Sequence, residues 1–480
     1  MGVTAMATSN RKLSRRGVLT GGIAATGALL AAAQVGAAQS VSGAAPSGRS
    51  VAGRKFRGWV SRGEGPHRST LEVLTLRAIS GRQVLVRTEA TNLCYSNATV
   101  VLGLPPFGFP PPDPAHPRPA RPPAMVAMMH KLNQMALIQG HGGVGVVEAV
   151  GPDVRRVQIG DRVIVSGTPQ CGSCYQCLRG RADMCQFLGR QGPDDLVPIA
   201  DMHDGTPVYA NSHIGGLAEK MVTFEEWVVP IFTRAATVDL CLVTCCVGIA
   251  GLGCTASQTL AAVAPGSAVA VLGNGPLGLS AIQGARIAGA SIIIGVDPIR
   301  VRREVALKVG ATHVLDPNAE GANLVHRIRE MTRGPTTHLW AGGRNSSGFG
   351  AGAGPDFVVE AVGANRRKPK LEDGPDPTGV LPLQQAWEMC ASGGHIVTTG
   401  LPNGTLTLPA AGFAIGGRTH HAGQYGGANP MRDLPRFVQL LDSGQFDAKS
   451  LATTVIPIER VLEAYEQVVD RTTVTAIMTA

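Results

Sequence analysis

The chain has 480 residues, enough for two or three domains, each with its own core. Apolar residues make up 44% and charged residues 16%, the balance of a folded protein with a quiet surface. The formal charge is +9 at pH 7, but the basic residues are scattered and aromatics rarely interleave with them, which argues against a nucleic-acid partner.

Residues 1–38 read as a targeting segment. Arg11, Lys12, Arg15 and Arg16 precede a weakly apolar, Ala/Gly-rich stretch, and Val35-Gly36-Ala37 offers small residues for cleavage. The run Ser14-Arg15-Arg16-Gly17-Val18-Leu19 resembles a twin-arginine export signal, which a receptor reads as an address. The alternatives are a mis-started N-terminus or a poor membrane anchor. Export predicts a periplasmic or extracellular protein without stable membrane insertion, since no later stretch is long and apolar enough to span. Removing the four basic residues of the signal from +9 leaves +5 for the mature chain.

A β-rich unit follows. Short alternating segments at 71–77, 83–89, 144–150 and 162–166 are each bounded by Gly, Pro or Asp. Between them, residues 104–123 hold ten prolines and no helical or strand period, as a surface loop would. Residues 125–137, with apolar side chains at helical spacing, predict a short lid helix.

The run TPQCGSCYQCLRGRADMCQF carries Cys171, Cys174, Cys177 and Cys185. The spacing C-x2-C-x2-C-x7-C lets one loop close four thiolates into a tetrahedron, which suits a structural Zn²⁺ with no open position. Two disulfides are the alternative in an exported chain. Twin-arginine export fits the metal, because that route carries proteins already folded and loaded.

From about residue 240 apolar runs alternate with helical stretches: strand 269–272, helix 277–288, strand 292–296, helix 301–309. That order predicts a parallel sheet, with further strands at 357–360, 395–399 and 453–456. Gly-rich residues 341–354 and polar residues 365–379 read as inserted loops. Gly273-Asn274-Gly275-Pro276-Leu277-Gly278 follows the first strand and opens the first helix. The first glycine makes the turn, the second admits a pyrophosphate, and the third lets helix and strand pack closely. Asp297 ends the second strand at the distance where a carboxylate meets the adenosine ribose, which selects NAD over NADP. Arg302 nearby is a cation that could pair with a phosphate.

Six cysteines remain, and most could be buried small apolar residues. Cys94 in TNLCYSN, His141 in QGHGGVG and Cys246 in TCCVGIAGLG stand apart. With them the chain resembles the zinc-dependent medium-chain alcohol dehydrogenases, from about Val84 to the C-terminus. The resemblance implies a Rossmann doubly wound parallel sheet plus a β-rich GroES-like catalytic domain. Its expected boundaries are 1–38 for the signal, 39–246 for the catalytic domain, 247–417 for the NAD domain and 418–480 for a segment completing the catalytic domain. It implies a second, catalytic zinc held by Cys94, His141 and Cys246, with Cys245 the alternative by one residue, and Ser96 as proton relay. A zinc-bound alcohol would then give its proton to Ser96 and its hydride to NAD. Two family carboxylates are replaced here, by Gly142 and Asn97. The expected substrate is a small alcohol or aldehyde, the expected assembly a homodimer or homotetramer, and a tightly held NAD is compatible with export. A hydroxymethyl-thiol dehydrogenase and a non-catalytic NAD- and zinc-binding protein share the same motifs.

Overall fold

The computed structural model describes residues 51–104, 122–244, 248–257, 259–333, 353–364, 370, 379–402 and 404–480. The signal segment, nearly all of the Pro-rich stretch, Cys245, Cys246 and most of the two insertions lie outside the described residues.

The first half is built from ten strands: β1 (Lys55–Ser61), β2 (Ser69–Leu76), β3 (Gln83–Asn92), β4 (Ala136–Ile138), β5 (Gly143–Val150), β6 (Arg162–Val165), β7 (Pro198–Asp201), β8 (Pro207–Ala210), β9 (Lys220–Phe224) and β10 (Val228–Pro230). The second half adds β11 (Ala268–Leu272), β12 (Ile292–Val296), β13 (His313–Leu315), β14 (Phe357–Glu360), β15 (His395–Thr398) and β16 (Thr419–Ala422). The chain closes with β17 (Thr454–Pro457) and β18 (Ala476–Thr479).

Three sheets result. A closed barrel runs β1-β2-β7-β8-β4, and a seven-stranded sheet runs β10-β6-β5-β3-β18-β17 with β9 also on β3. The third sheet, β13-β12-β11-β14-β15-β16, is parallel throughout. Its central strands AVAVL and FVVE are buried at every position, as expected where helices cover both faces. The predicted strands at 71–77, 83–89, 144–150, 162–166, 269–272, 292–296, 357–360, 395–399 and 453–456 are all present within one to three residues.

Two expectations are corrected. The lid helix is Pro123–Gln134, and residues 136–138 form β4 instead, because pairing with β1 and β8 buries all three in the barrel. The parallel sheet also runs past residue 417, since β16 is its sixth strand. The return to the first unit comes with β17 and β18, where Ile477 pairs with Asn92 of β3. Trp59 Nε1 donates to the Ile458 carbonyl at 2.7 Å, tying the barrel to that returning segment.

β3 is the pivot of the catalytic unit. It pairs with β5, β9 and β18 and carries two register shifts against β5, at Leu85/Val86 and Thr88/Ala90. Just beyond its end, Cys94 lines one cavity with Gly275, Pro276 and Leu277 after β11. Among the described residues no helix is long and apolar enough to cross a membrane.

Candidate functional site

The four-cysteine lobe is assembled locally. Cys174 caps the helix Tyr175–Leu178, its sulfur accepting the Cys177 N–H at 3.5 Å, while its own N–H points at Cys171 Sγ at 3.3 Å. All four sulfurs lie within 4.8 Å of one another, with Cys171–Cys177 at 3.9 Å and Cys174–Cys185 at 4.0 Å. Zn–S bonds of ~2.3 Å in a tetrahedron place sulfurs ~3.8 Å apart, so the set fits zinc. Disulfide sulfurs would stand ~2 Å apart, and all four cysteines are free. Burial pushes the Cys174 thiol up, but N–H groups of Gln186 and Cys177 outweigh it and bring it down to about 6. Burial drives Cys185 upward. A dication resolves that conflict by favouring thiolate at every position.

The second set is drawn from distant segments. Cys94 precedes the helix Tyr95–Val101, and Ser96 Oγ donates to Cys94 Sγ at 3.0 Å and lies 3.4 Å from His141 Nε2. His141 is aimed by Gly140, whose φ is +95°; a Cβ there would stand 2.9 Å from the Leu217 nitrogen. The Thr91 hydroxyl donates to the Gly142 carbonyl, which fixes the backbone next to His141. Asn97 is buried at 6% exposure. The Thr244 hydroxyl donates to Asn92 Oδ1 at 3.0 Å, at the end of β3. Cys94, Ser96 and His141 are thus brought together, and Cys246 and Cys245, between which the sequence expectation chose, lie outside the described residues. A thiol and an imidazole linked through one hydroxyl are donors of the kind zinc takes.

The glycine loop has the expected geometry. Gly273 adopts φ +87°, and a Cβ on Gly278 would fall 1.8 Å from the Gly273 carbonyl oxygen. Above Gly275 nothing stands closer than Arg302 Nη1, at 3.8 Å from where a Cβ would be, so the loop presents an open cradle. Pro276 begins the helix Pro276–Ile287, and its free amide end faces the cradle. Asp297 is 3% exposed; its carboxylate accepts N–H groups from Asn274 and Ile299, both at 2.8 Å, and stands 4.0 Å from Arg302. Each oxygen keeps a lone pair for a ribose hydroxyl.

One residue here was not legible in the sequence. Arg471, in the turn before β18, has φ +57° and lines the cleft together with Gly275, Asp297 and Arg302. Burial lowers its pKa to about 10, with Arg302 adding to the shift and Asp297 opposing it. Burial lowers Arg302 as well, and its Nε has no hydrogen-bond partner. The two partly exposed guanidiniums share this cleft with the Asp297 carboxylate, a setting that suits a pyrophosphate. A cofactor therefore fits the cleft. A lone arginine in a Thr-rich turn gives no spacing signal, and only the fold brings it to the glycine loop.

Residues 80–233 match the alcohol dehydrogenase GroES-like domain, and residues 276–369 match the zinc-binding dehydrogenase domain. Alcohol dehydrogenase-like 6 of Arabidopsis thaliana is 31% identical over 63% of this chain and 71% of its own. The chain belongs to the zinc-dependent alcohol dehydrogenase family. This dehydrogenase is also 29% identical to the NDMA-dependent alcohol dehydrogenase of Amycolatopsis methanolica, over 70% of this chain and 81% of that one. A crystal structure of an alcohol dehydrogenase zinc-binding domain protein from Burkholderia ambifaria superposes with a TM-score of 0.69 at 26% identity, covering 89% of this chain and 99% of the other. The dehydrogenase is accordingly an alcohol oxidoreductase that works with zinc and a nicotinamide cofactor.

Proposed function

We propose that Cys94, His141 and Cys246 hold the catalytic zinc, that Ser96 relays the alcohol proton, and that the cofactor is NAD rather than NADP. One observation carries this reading: a single cavity is lined by Cys94, Tyr95 and Arg471 together with Gly275, Pro276, Leu277 and Arg302. When bound, zinc supplies a Lewis acid for the alcohol oxygen and the nicotinamide supplies the hydride acceptor. Ser96 Oγ, within hydrogen-bond reach of both a sulfur and an imidazole nitrogen, takes the hydroxyl proton and passes it towards solvent. The buried Asp297 carboxylate holds the ribose hydroxyls and repels a 2′-phosphate. The substrate is a small alcohol or the corresponding aldehyde.

The reading extends to the cell. Arg15-Arg16 and the weakly apolar stretch after them direct the folded enzyme through the twin-arginine machinery to the periplasm or the exterior. Free NAD is scarce there, so the enzyme holds its NAD and regenerates it in place through a second substrate or an electron acceptor. The relative named for its dependence on NDMA is in keeping with such an acceptor. The working form is a homodimer or homotetramer.

The test is metal and cofactor analysis of the mature protein. Two zincs per chain and about one nicotinamide released on denaturation are expected. One zinc per chain would overturn the catalytic assignment. Well under one nicotinamide, with activity that depends on added NAD at ordinary substrate concentrations, would overturn retention.

A further inference from the structure

Strand β14 ends on a carboxyl group that no role above uses. Glu360 is fully buried, and it pairs in register with Leu272 of β11 and Thr398 of β15, at the C-terminal edge of the parallel sheet. Strand order reverses between β11 and β14, which is where such sheets bind ligands. Its Oε1 accepts the Val362 N–H at 2.8 Å and the Gly363 N–H at 3.1 Å, while Oε2 has no hydrogen-bond partner. The niche around it is closed by backbone: a Cβ on Gly400 would stand 2.8 Å from both carboxyl oxygens and 2.7 Å from the Gly363 nitrogen.

The turn that Glu360 holds is a wall of the cofactor cleft. Ala361 and Val362 line it beside Gly275 and Arg302, and a Cβ on Gly273 would meet the Ala361 carbonyl carbon at 3.0 Å. Turn and glycine loop are therefore packed with no slack between them.

We propose that Glu360 is a positioning residue for the nicotinamide cofactor, fixing the Ala361–Gly363 turn against the glycine loop through the two hydrogen bonds that Oε1 accepts. The inference rests on the cleft being the cofactor's. Burial favours the neutral acid and pushes the carboxyl above its ordinary value, with the Gly363 and Val362 amides opposing. Among the described residues no cation faces it. The titratable neighbour is the Cys254 thiol of helix Gly248–Ala256, itself pushed up by burial. Ionisation makes Oε1 a stronger acceptor for the same two amides, so the hold on the turn does not weaken as pH rises.

Full-length parent, Glu360→Gln and Glu360→Ala are compared for the NADH dissociation constant by fluorescence and for nicotinamide retained after gel filtration. Zinc content and circular dichroism report the fold. The Ala variant should weaken NADH binding roughly tenfold and raise KM for NAD more than it lowers kcat, because it removes ground-state positioning. The Gln variant keeps the Oε1 acceptor and should match the parent within about twofold near neutrality. An Ala variant that binds NADH like the parent overturns the inference alone. If that variant does not fold, Glu360→Met, which fills the niche without an acceptor, takes its place, and NADH binding equal to the parent's overturns the inference. A parent that neither binds NADH nor retains nicotinamide overturns the cofactor reading, and this inference with it.

Discussion

Gly278→Ala separates the two jobs of the glycine loop. Its Cβ would be built 1.8 Å from the Gly273 carbonyl oxygen, 2.9 Å from the carbonyl carbon and 3.3 Å from Val271 Cγ1. Ordinary contact begins near 3.4 Å, so helix and loop must separate by about 1.5 Å, and both are backbone that cannot rotate aside. Replacing glycine by alanine within a helix gains up to ~1 kcal/mol of propensity. Forcing an extra carbon into a packed contact costs ~1–3 kcal/mol, so the clash wins. A displacement of that size at the pyrophosphate end of the helix costs on the order of 100-fold in function. Gly275→Ala is the control: its φ is −69°, and its Cβ would meet only Arg302 at 3.8 Å. That variant should keep the parent's melting temperature yet bind NADH more weakly, because the methyl enters the cleft. Thermal melting and NADH fluorescence titration read the two effects separately. A Gly278→Ala protein that melts with the parent, or a Gly275→Ala protein that loses several degrees, would refute the division of labour.

Three further outcomes are expected. Cys171→Ser should lose one zinc per chain and much of its folded yield, since structural zinc contributes folding free energy outright; resistance to a strong chelator equal to the parent's would contradict this. Cys246→Ala should abolish alcohol turnover while NADH affinity stays within about threefold, because the glycine loop carries the nucleotide; retained turnover would move the ligand to Cys245. Asp297→Ala should narrow the preference for NAD over NADP, seen in the ratio of kcat/KM values. It should also cost about 1–3 kcal/mol of stability by leaving the Asn274 and Ile299 N–H groups without their acceptor.

The two motifs read most directly from the sequence are those whose parts are contiguous. Cys171, Cys174 and Cys177 recur every three residues, so one turn of backbone gathers their sulfurs whatever the rest of the chain does. Gly273 to Gly278 lie within one strand–turn–helix step, and each glycine answers a steric demand made by its immediate neighbours. Alternating and continuous apolar runs likewise gave the strand positions, because side-chain burial repeats with backbone geometry.

Residues far apart in the chain are a different matter, since nothing in local periodicity says which strand pairs with which. Ser96 meets His141 across 45 residues and a Pro-rich stretch because β3 and β5 share a sheet. Arg471 reaches Gly275 because β18 returns to β3, and Glu360 becomes an isolated carboxyl only once Gly400 and helix Gly248–Ala256 close over it. The sequence alone determined nine of the eighteen described strands, the four-cysteine lobe and the glycine loop, where the energetics are settled within a few residues. The cleft, its two arginines and the buried acid were decided by tertiary structure, because long-range pairing sets which polar groups lose water and which charges they face.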